Sequence, residues 1–385
     1  MHIGFVQHTY EEYQHPSELL AAHFTTTEWA EALVAKGARV SVIYRFHSDD
    51  HLFLRGVHYY FLKDTLSPML KWFHLPLSFS LKVRKYVKTN DVDVMHSHNL
   101  RASFPNFLLR VFCPKHPLVI QDHGAIPAGR SLRSRLVDLV LKWCLKRCDA
   151  VVFSAKGQER MWVERRLIER RLCMFIMENS ASFSFMPRQE ARVFTGLRGS
   201  PVFLWVGNLD PNKDPITSLL ALDEVFEKYP EAGLYMIYRF NQLEDQVRDL
   251  IHSKPGLTGR VELLGSRSRR ELQWYYNSAD YILSSSHKEA GGYSVIEAMA
   301  CGVIPILSDI PSFLSLTGHG QVGANFKAGS VSDLVRQTLE VCGRDIAKES
   351  ERVMGHFKEF HSFEALAETA MGVYSEVISR RHNSG

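Results

Sequence analysis

Short apolar runs rich in β-branched residues alternate with amphipathic stretches along most of the chain. Residues 2–8 (HIGFVQH) read as a strand, and 25–37 (TTTEWAEALVAKG) as a helix with threonine N-caps and a glycine stop. Residues 38–46, 92–98, 117–124 and 149–155 read as further strands, the last two separated by a helix around 131–147. These runs are continuously apolar, which is the pattern of a parallel sheet covered on both faces. Residues 179–200 lose the periodicity to polar, proline and glycine positions and read as an interdomain linker. The pattern then restarts, with strands at 201–209, 232–238, 260–266, 280–286 and 303–309 and helices at 217–230, 243–253, 269–279, 293–300 and 331–343. Strand–helix alternation of this kind predicts two doubly wound, Rossmann-like α/β domains facing across a cleft at the carboxyl ends of their sheets, where such proteins bind ligands. The expected division is 1–185 and 186–365, with a C-terminal helix at 366–385 packing back on the N-terminal domain.

At 385 residues the chain is long enough for two cores, and 45% hydrophobic with 23% charged residues is the composition of a globular protein. No apolar run reaches the length of a membrane-spanning helix. The chain opens directly on a strand, without a signal-peptide pattern, and its six cysteines form no CxxC pair, so a cytoplasmic location is expected. Cys144 and Cys148, four apart on one helix face, read as small buried hydrophobes. The net charge of +4 is uneven: residues 1–190 carry +8 and residues 191–385 carry −4. A basic N-terminal half points to an anionic partner. Trp72, Phe73, Leu75, Leu77 and Phe79 beside Lys71, Lys82, Arg84, Lys85 and Lys88, together with Arg165, Arg166, Arg170 and Arg171, suggest contact with anionic membrane at the inner face of the plasma membrane. The alternative is that 77–88 is an amphipathic helix whose apolar side covers the sheet. No nucleic-acid reading motif and no G-x-G-x-x-G after a strand are present, which argues against a nucleic-acid binder and a nicotinamide-dependent oxidoreductase.

The chemistry concentrates at 287–302 (HKEAGGYSVIEAMACG). Ser294 and Glu297 have the spacing of a capping box, with Gly302 as the helix stop and Glu289 as a loop acid. A second reading uses more residues. Gly291 and Gly292 follow a strand and open a helix, a place where backbone N–H groups and the helix dipole favour an anion such as a diphosphate. Glu289 and Glu297 on either side would accept hydrogen bonds from sugar hydroxyls, as a nucleotide-sugar requires.

The string Glu289-x7-Glu297-Ala-Met-Ala-Cys-Gly-Val-Ile-Pro resembles the signature of retaining GT-B glycosyltransferases of the "glycosyl transferases group 1" type. The resemblance covers the C-terminal half and, more loosely, the N-terminal half. It implies that Glu297 holds the ribose, that backbone at Gly291, Gly292, Tyr293 and Ser294 holds the diphosphate, and that Glu289 holds the donor sugar. VGNLDPNKD resembles the family's V-G-R-L-x-x-x-K-G loop, which implies donor contacts from Gly207, Asn208 and Lys213. Asn208 stands where the family has arginine and Asp214 where it has glycine, and Arg239 is a candidate to supply the missing charge. Gly265, Ser266 and Arg267 (ELLGSRS) resemble the segment that edges the nucleobase. QDHGA resembles the family's strand-end His-Gly, which implies that His123 lies against the transferred sugar; His98 matches an acceptor-lining position. The family's glycine pair after the first strand is absent, replaced by QHTYEEYQHPSELLAAHF.

By this resemblance the chain moves a sugar from a nucleotide-diphosphate donor to a glycan or lipid-linked acceptor with retention of configuration, in surface polysaccharide or glycoconjugate synthesis. Glu289, His123 and Lys213 would be the catalytic residues, with no metal or other cofactor. A nucleotide-sugar-binding protein without catalysis, or a sugar-nucleotide epimerase on the same scaffold, are the alternatives. Nucleobase, donor sugar and acceptor leave no trace in the sequence.

Overall fold

The computed structural model describes residues 1–65, 76–98, 100, 103–123, 138–139, 141–143, 145–176 and 182–383. The chain forms two compact units, Met1–Glu178 with Phe363–Gly385, and Asn179–Ser362. The division thus falls seven residues before the expected 185/186 boundary and three before 365/366.

Unit 1 is built on strands β1 (His2–Gln7), β2 (Arg39–Phe46), β3 (Asp50–Leu54), β4 (Val57–Lys63), β5 (Val94–Ser97), β6 (Leu118–Gln121), β7 (Ala150–Phe153) and β8 (Cys173–Phe175), in the spatial order β3-β4-β2-β1-β5-β6-β7-β8. All pairings are parallel except the β3–β4 edge hairpin, which turns at Arg55 and Gly56, both at positive φ. Burial on both faces explains the continuous apolar runs: Ile3 and Phe5 enter one core, and Val6 enters the other. The helix read at 25–37 runs from Phe24 to Ala35 with His23, not a threonine, at its N-cap; the Thr26 hydroxyl instead receives a hydrogen bond from Gln7 at 3.3 Å. Helix Leu77–Thr89 buries Phe79, Val83, Tyr86 and Val87 in the core, so its apolar side covers the sheet, and its basic residues lie on the remaining surface. Trp72, Phe73, Leu75 and Lys71 lie outside the described residues, as does Cys144. Cys148 is buried and donates to the Leu145 carbonyl at 3.0 Å.

The C-terminal helix, Phe363–His382, presents Leu366, Ala367, Ala370, Val373, Tyr374 and Val377 to the same core as Ile3 and Phe5. These positions share one helical face. Ion pairs Lys36–Glu368 (3.1 Å) and Arg381–Asp149 (2.8 Å) flank the seam.

Unit 2 contains β9 (Val202–Val206), β10 (Gly233–Ile237), β11 (Val261–Gly265), β12 (Tyr281–Ser284), β13 (Ile304–Ser308) and β14 (Ala324–Phe326), all parallel, in the order β11-β10-β9-β12-β13-β14. This is the doubly wound dinucleotide-fold order, with its topological switch between β9 and β12. The expected linker at 179–200 is not structureless. Residues Arg188–Thr195 form a helix whose Arg188 and Arg192 reach the Asp280 carboxylate at 3.2 and 2.8 Å. The four-residue spacing aims both arginines at one point, a long-range pairing that local composition conceals.

Candidate functional site

The switch point of unit 2 brings together the loop after β9 and the loop after β12. Asp210 accepts from the backbone N–H groups of Asn212 (3.0 Å) and Lys213 (2.9 Å), forming a tight turn. Asp214, at φ +47°, then caps helix Pro215–Lys228 by accepting from the Thr217 N–H at 3.1 Å. A left-handed backbone explains why glycine suits position 214 in the resembling loop; the aspartate tolerates it and supplies a cap. The two loops are laced together. The His287 N–H donates to the Asn212 carbonyl (2.8 Å), Asn212 Nδ2 donates to the Lys288 carbonyl (3.0 Å), and Ser285 Oγ donates to the Asp214 carbonyl (2.6 Å).

Within this frame Lys213 Nζ is ion-paired to Glu289 Oε1, with the two side chains only 22% and 13% exposed. Ser286 Oγ donates to the same carboxylate at 2.7 Å. Gly207 makes room for the pair: a Cβ there would lie 3.2 Å from Trp205 and 3.4 Å from the Lys213 stem. Asn208 is half-buried, and its carbonyl accepts from the Asp210 N–H at 2.8 Å.

After Glu289 the chain turns at Gly291 and Gly292 into helix Tyr293–Ala300. Gly292 is the N-cap at φ +74°, and a Cβ on it would sit 2.8 Å from the Phe313 ring. Backbone conformation and space therefore both demand glycine. The capping-box reading of Ser294 and Glu297 does not hold. Ser294 lies inside the helix, and no side chain caps it. Glu297 points away from its own N-terminus, accepting from Arg269 Nη1 at 2.8 Å and from the Tyr276 hydroxyl at 2.9 Å. Burial raises the Glu297 pKa from its ordinary value, a shift that Arg269 and Tyr276 oppose without cancelling. A capping box does occur nearby, at Ser268 and Glu271, and it fixes Arg269 at the first turn of helix Arg269–Ser278.

The loop after β11 leaves Gly265 at φ +68° with open space beside it, and Ser266 exposed. Arg267 folds back, donating to the Leu264 carbonyl (2.5 Å) and to the Tyr275 hydroxyl (3.0 Å), so its side chain braces the loop. Arg239, at the end of β10, is exposed and lies over the Phe240 ring at 5.6 Å. Thus Gly207, Lys213 and Glu289 lie together, Gly291, Gly292 and Tyr293 follow Glu289 directly in the chain, and Glu297 stands one helical turn further on, held by two residues that no motif announced. Arg269 and Tyr276 lie 28 and 21 positions from Glu297; the Ser268–Glu271 spacing was the one local signal near them.

In unit 1 the switch point lies between β1 and β5. His96, His98 and His123 form a column of stacked rings, with centroids 4.5 Å apart for the first pair and 6.0 Å for the second. His96 Nδ1 is hydrogen-bonded to the Tyr374 hydroxyl at 2.6 Å, and His123 is the exposed end. Burial pushes His96 down to about 3 and His98 well below the usual imidazole range, so both are neutral. His8, directly after β1, is likewise buried and held down to about 3, with the Arg45 charge adding to the effect. Among the described residues, no group of three or more His, Cys, Asp or Glu side chains is arranged to hold a metal ion.

Comparison with known proteins fits this geometry. Residues 187–353 match the family "Glycosyl transferases group 1", and residues 23–173 match "Glycosyltransferase Family 4". Two glycosyltransferase family models thus account for the two halves of the chain, one each. It is 32% identical over 137 residues to the GDP-mannose:cellobiosyl-diphosphopolyprenol alpha-mannosyltransferase of Xanthomonas oryzae pv. oryzae, covering 34% of this chain and 36% of that protein. The Xanthomonas campestris enzyme of the same name is 29% identical over 251 residues, covering 63% and 64%. The matched region therefore spans about one third to just under two thirds of these relatives' own length.

Among solved structures, sucrose-phosphate synthase from Thermosynechococcus elongatus superposes with a TM-score of 0.70 at 18% identity, covering 98% of this chain and 99% of that one. Anabaena HepE in complex with UDP and glucose gives 0.66 at 16% identity, covering 98% and 100%. Both share the GT-B fold class of this chain.

Proposed function

We propose that the chain transfers a glycosyl group from a nucleoside-diphosphate sugar to a glycan or lipid-linked acceptor, with retention of anomeric configuration. The observation that carries this reading is the unit 2 switch point, where an ion-paired lysine and glutamate adjoin a glycine turn that opens a helix. Lys213 and the helix N-terminus are suited to neutralise a leaving diphosphate. Glu289 can accept from hydroxyls of the donor sugar, and the ammonium that it holds before donor binding is then shared with phosphate. Glu297, oriented by Arg269 and Tyr276, has the lone pairs to accept from ribose hydroxyls.

Departure and attack on one face of the sugar, with the leaving diphosphate taking the acceptor proton, requires neither a carboxylate nucleophile nor a metal. The neutral His98 and the exposed His123 are assigned to acceptor and transferred sugar. We place the enzyme in surface polysaccharide or glycoconjugate synthesis, in the cytoplasm at the inner face of the plasma membrane. The relatives' names make GDP-mannose and a diphosphopolyprenol-linked glycan the first donor and acceptor to try.

The test is a panel of UDP-, GDP- and ADP-sugars incubated with the full chain, with and without lipid-linked acceptor. One donor should be consumed, with release of nucleoside diphosphate and acceptor-dependent product. An isomerised nucleotide-sugar without transfer would make the chain an epimerase. Binding without turnover of any donor would make it a carrier.

A further inference from the structure

The two faces of the unit 1 sheet are covered by helices of opposite charge. Alternate strand residues separate the faces: Val42, Val94 and Val152 point to one core, and Ile43, Met95 and Val151 to the other. The first core is covered by helices Pro16–Ala22, Phe24–Ala35 and Phe363–His382, which hold six glutamates and two arginines. The second is covered by Leu77–Thr89, Ser103–Phe112, the segment 138–147 and Arg160–Glu164. Those four carry nine lysines and arginines against only Asp138 and Glu164.

Exposed large apolar side chains gather on the same basic face. Leu81, Phe104, Val111, Leu139, Trp143 and Met161 all project from its helices, with Leu139 64% and Trp143 48% exposed. Trp143 packs on Phe107 with centroids 4.1 Å apart, and the Arg147 guanidinium lies 5.0 Å from the Trp143 ring centre. Where these helices meet the end of the C-terminal helix runs a groove of about 600 Å3 lined by Phe107, Trp143, Arg110, Lys146 and Arg147, and by Arg381 of the C-terminal helix, with Asp149 its one acid. Arg110 (3.5 Å) and Arg381 (2.8 Å) both converge on that carboxylate, which can balance only one of the four cations. A neighbouring groove of about 410 Å3 adds Lys142, Arg166 and Arg170, with Glu169 its one acid.

We infer that this face docks on an anionic phospholipid membrane, with Trp143 and its exposed apolar neighbours in the interfacial layer and headgroup phosphates at the groove cations. A surface that only followed a nucleic-acid backbone would have no use for exposed Leu139 and Met161, whereas a headgroup layer offers both phosphate and acyl chain. The acidic opposite face is repelled by the same membrane, so charge also sets orientation. Pro114, Cys148 and Asp149 place the groove at the amino ends of β6 and β7. Docking therefore leaves the carboxyl end, with His98 and His123, open to an acceptor. The inference deepens the lipid-linked-acceptor reading but rests on charge and exposure alone, so each can fail without the other.

The experiment is co-sedimentation of the full chain with phosphatidylglycerol-containing vesicles and with pure phosphatidylcholine vesicles. Binding is expected only to the anionic vesicles at low salt, and it should vanish near ~0.5 M salt as screening shortens. Lys142→Glu/Lys146→Glu/Arg147→Glu should weaken binding at least ~100-fold, from roughly fivefold per cation. Trp143→Ser, which changes no charge, should weaken it as well, and Glu368→Ala on the opposite face should not. Melting curves show whether the charge-reversed chain is folded; if it is not, Trp143→Ser and the salt response of the unaltered chain decide. Equal binding to both vesicle types, unchanged binding by Trp143→Ser, or tighter binding to a DNA duplex than to anionic vesicles would overturn the inference.

Discussion

Replacing Lys213 by Met keeps most of the side-chain volume and removes the ammonium from its pair with Glu289. The loss has two parts, one structural and one functional. Breaking a buried ion pair costs about 3–5 kcal/mol because the remaining charge stays in a poor dielectric. Here the side chains are 22% and 13% exposed, and Ser286 still donates to Glu289 at 2.7 Å. A structural cost of about 2 kcal/mol follows, worth about 4–8 °C in melting temperature for a unit of this size. Adding Glu289→Gln removes the stranded charge, so the double variant should regain most of that stability. The functional part survives this rescue. A charge-assisted contact to the donor diphosphate is worth about 1.5–3 kcal/mol, or roughly 10- to 150-fold in Kd. Thermal melts of the four proteins of the cycle, with calorimetric titration of UDP and GDP into each, separate the two. If Lys213→Met lowers the melting temperature yet leaves nucleotide affinity unchanged, Lys213 is only the counter-ion of Glu289, and its place in the donor site is refuted.

Gly292→Ala should cost about 1–2 kcal/mol for the left-handed backbone, plus the displacement of Phe313, whose ring lies 2.8 Å from the new Cβ. Donor binding should fall with it, and unchanged affinity would show that the turn does not touch the diphosphate. Glu297→Gln tests a pH effect of defined sign. Burial raises the Glu297 pKa above 4.5, so the folded protein holds that proton more tightly than the unfolded chain. Ionisation therefore costs stability as pH rises from 4.5 to the raised value. The melting temperature of Glu297→Gln relative to the unaltered protein should climb over that window and then level off, with transfer activity lost; a difference that falls with rising pH would contradict the assignment. The transferred sugar should keep the anomeric configuration of the donor by proton NMR, and chelator should not slow the reaction; an inverted product would remove the front-face mechanism.

How far the sequence could be read depended on whether the deciding partner was near in the chain. Continuous apolar runs such as VFLWV report local burial on both faces, and strand–helix alternation implies the doubly wound parallel class. The glycine turn and both glutamates were visible because their spacing is local. The β3–β4 hairpin was not, since DHLFL is largely exposed and carries no long apolar run. The helix Arg188–Thr195 was taken for linker because its anchor, Asp280, is remote in sequence. The environment of Glu297 was misread for the same reason. A capping box looks only three residues ahead, whereas Arg269 and Tyr276 arrive from another helix. Position 214 shows the converse: the substitution of aspartate for glycine looked like a departure, but its positive φ and capping role make it compatible with the loop.

The central claim, that the unit 2 switch point is a nucleotide-sugar site, is tested most directly by calorimetric titration of UDP, GDP and ADP into the full chain and into Glu297→Ala. One nucleotide should bind at a single site in the unaltered protein, and its affinity should fall at least about 10-fold in the variant, the loss of one charge-assisted hydrogen-bonding group. Absence of binding by all three nucleotides, or equal affinity in a folded Glu297→Ala, would contradict it.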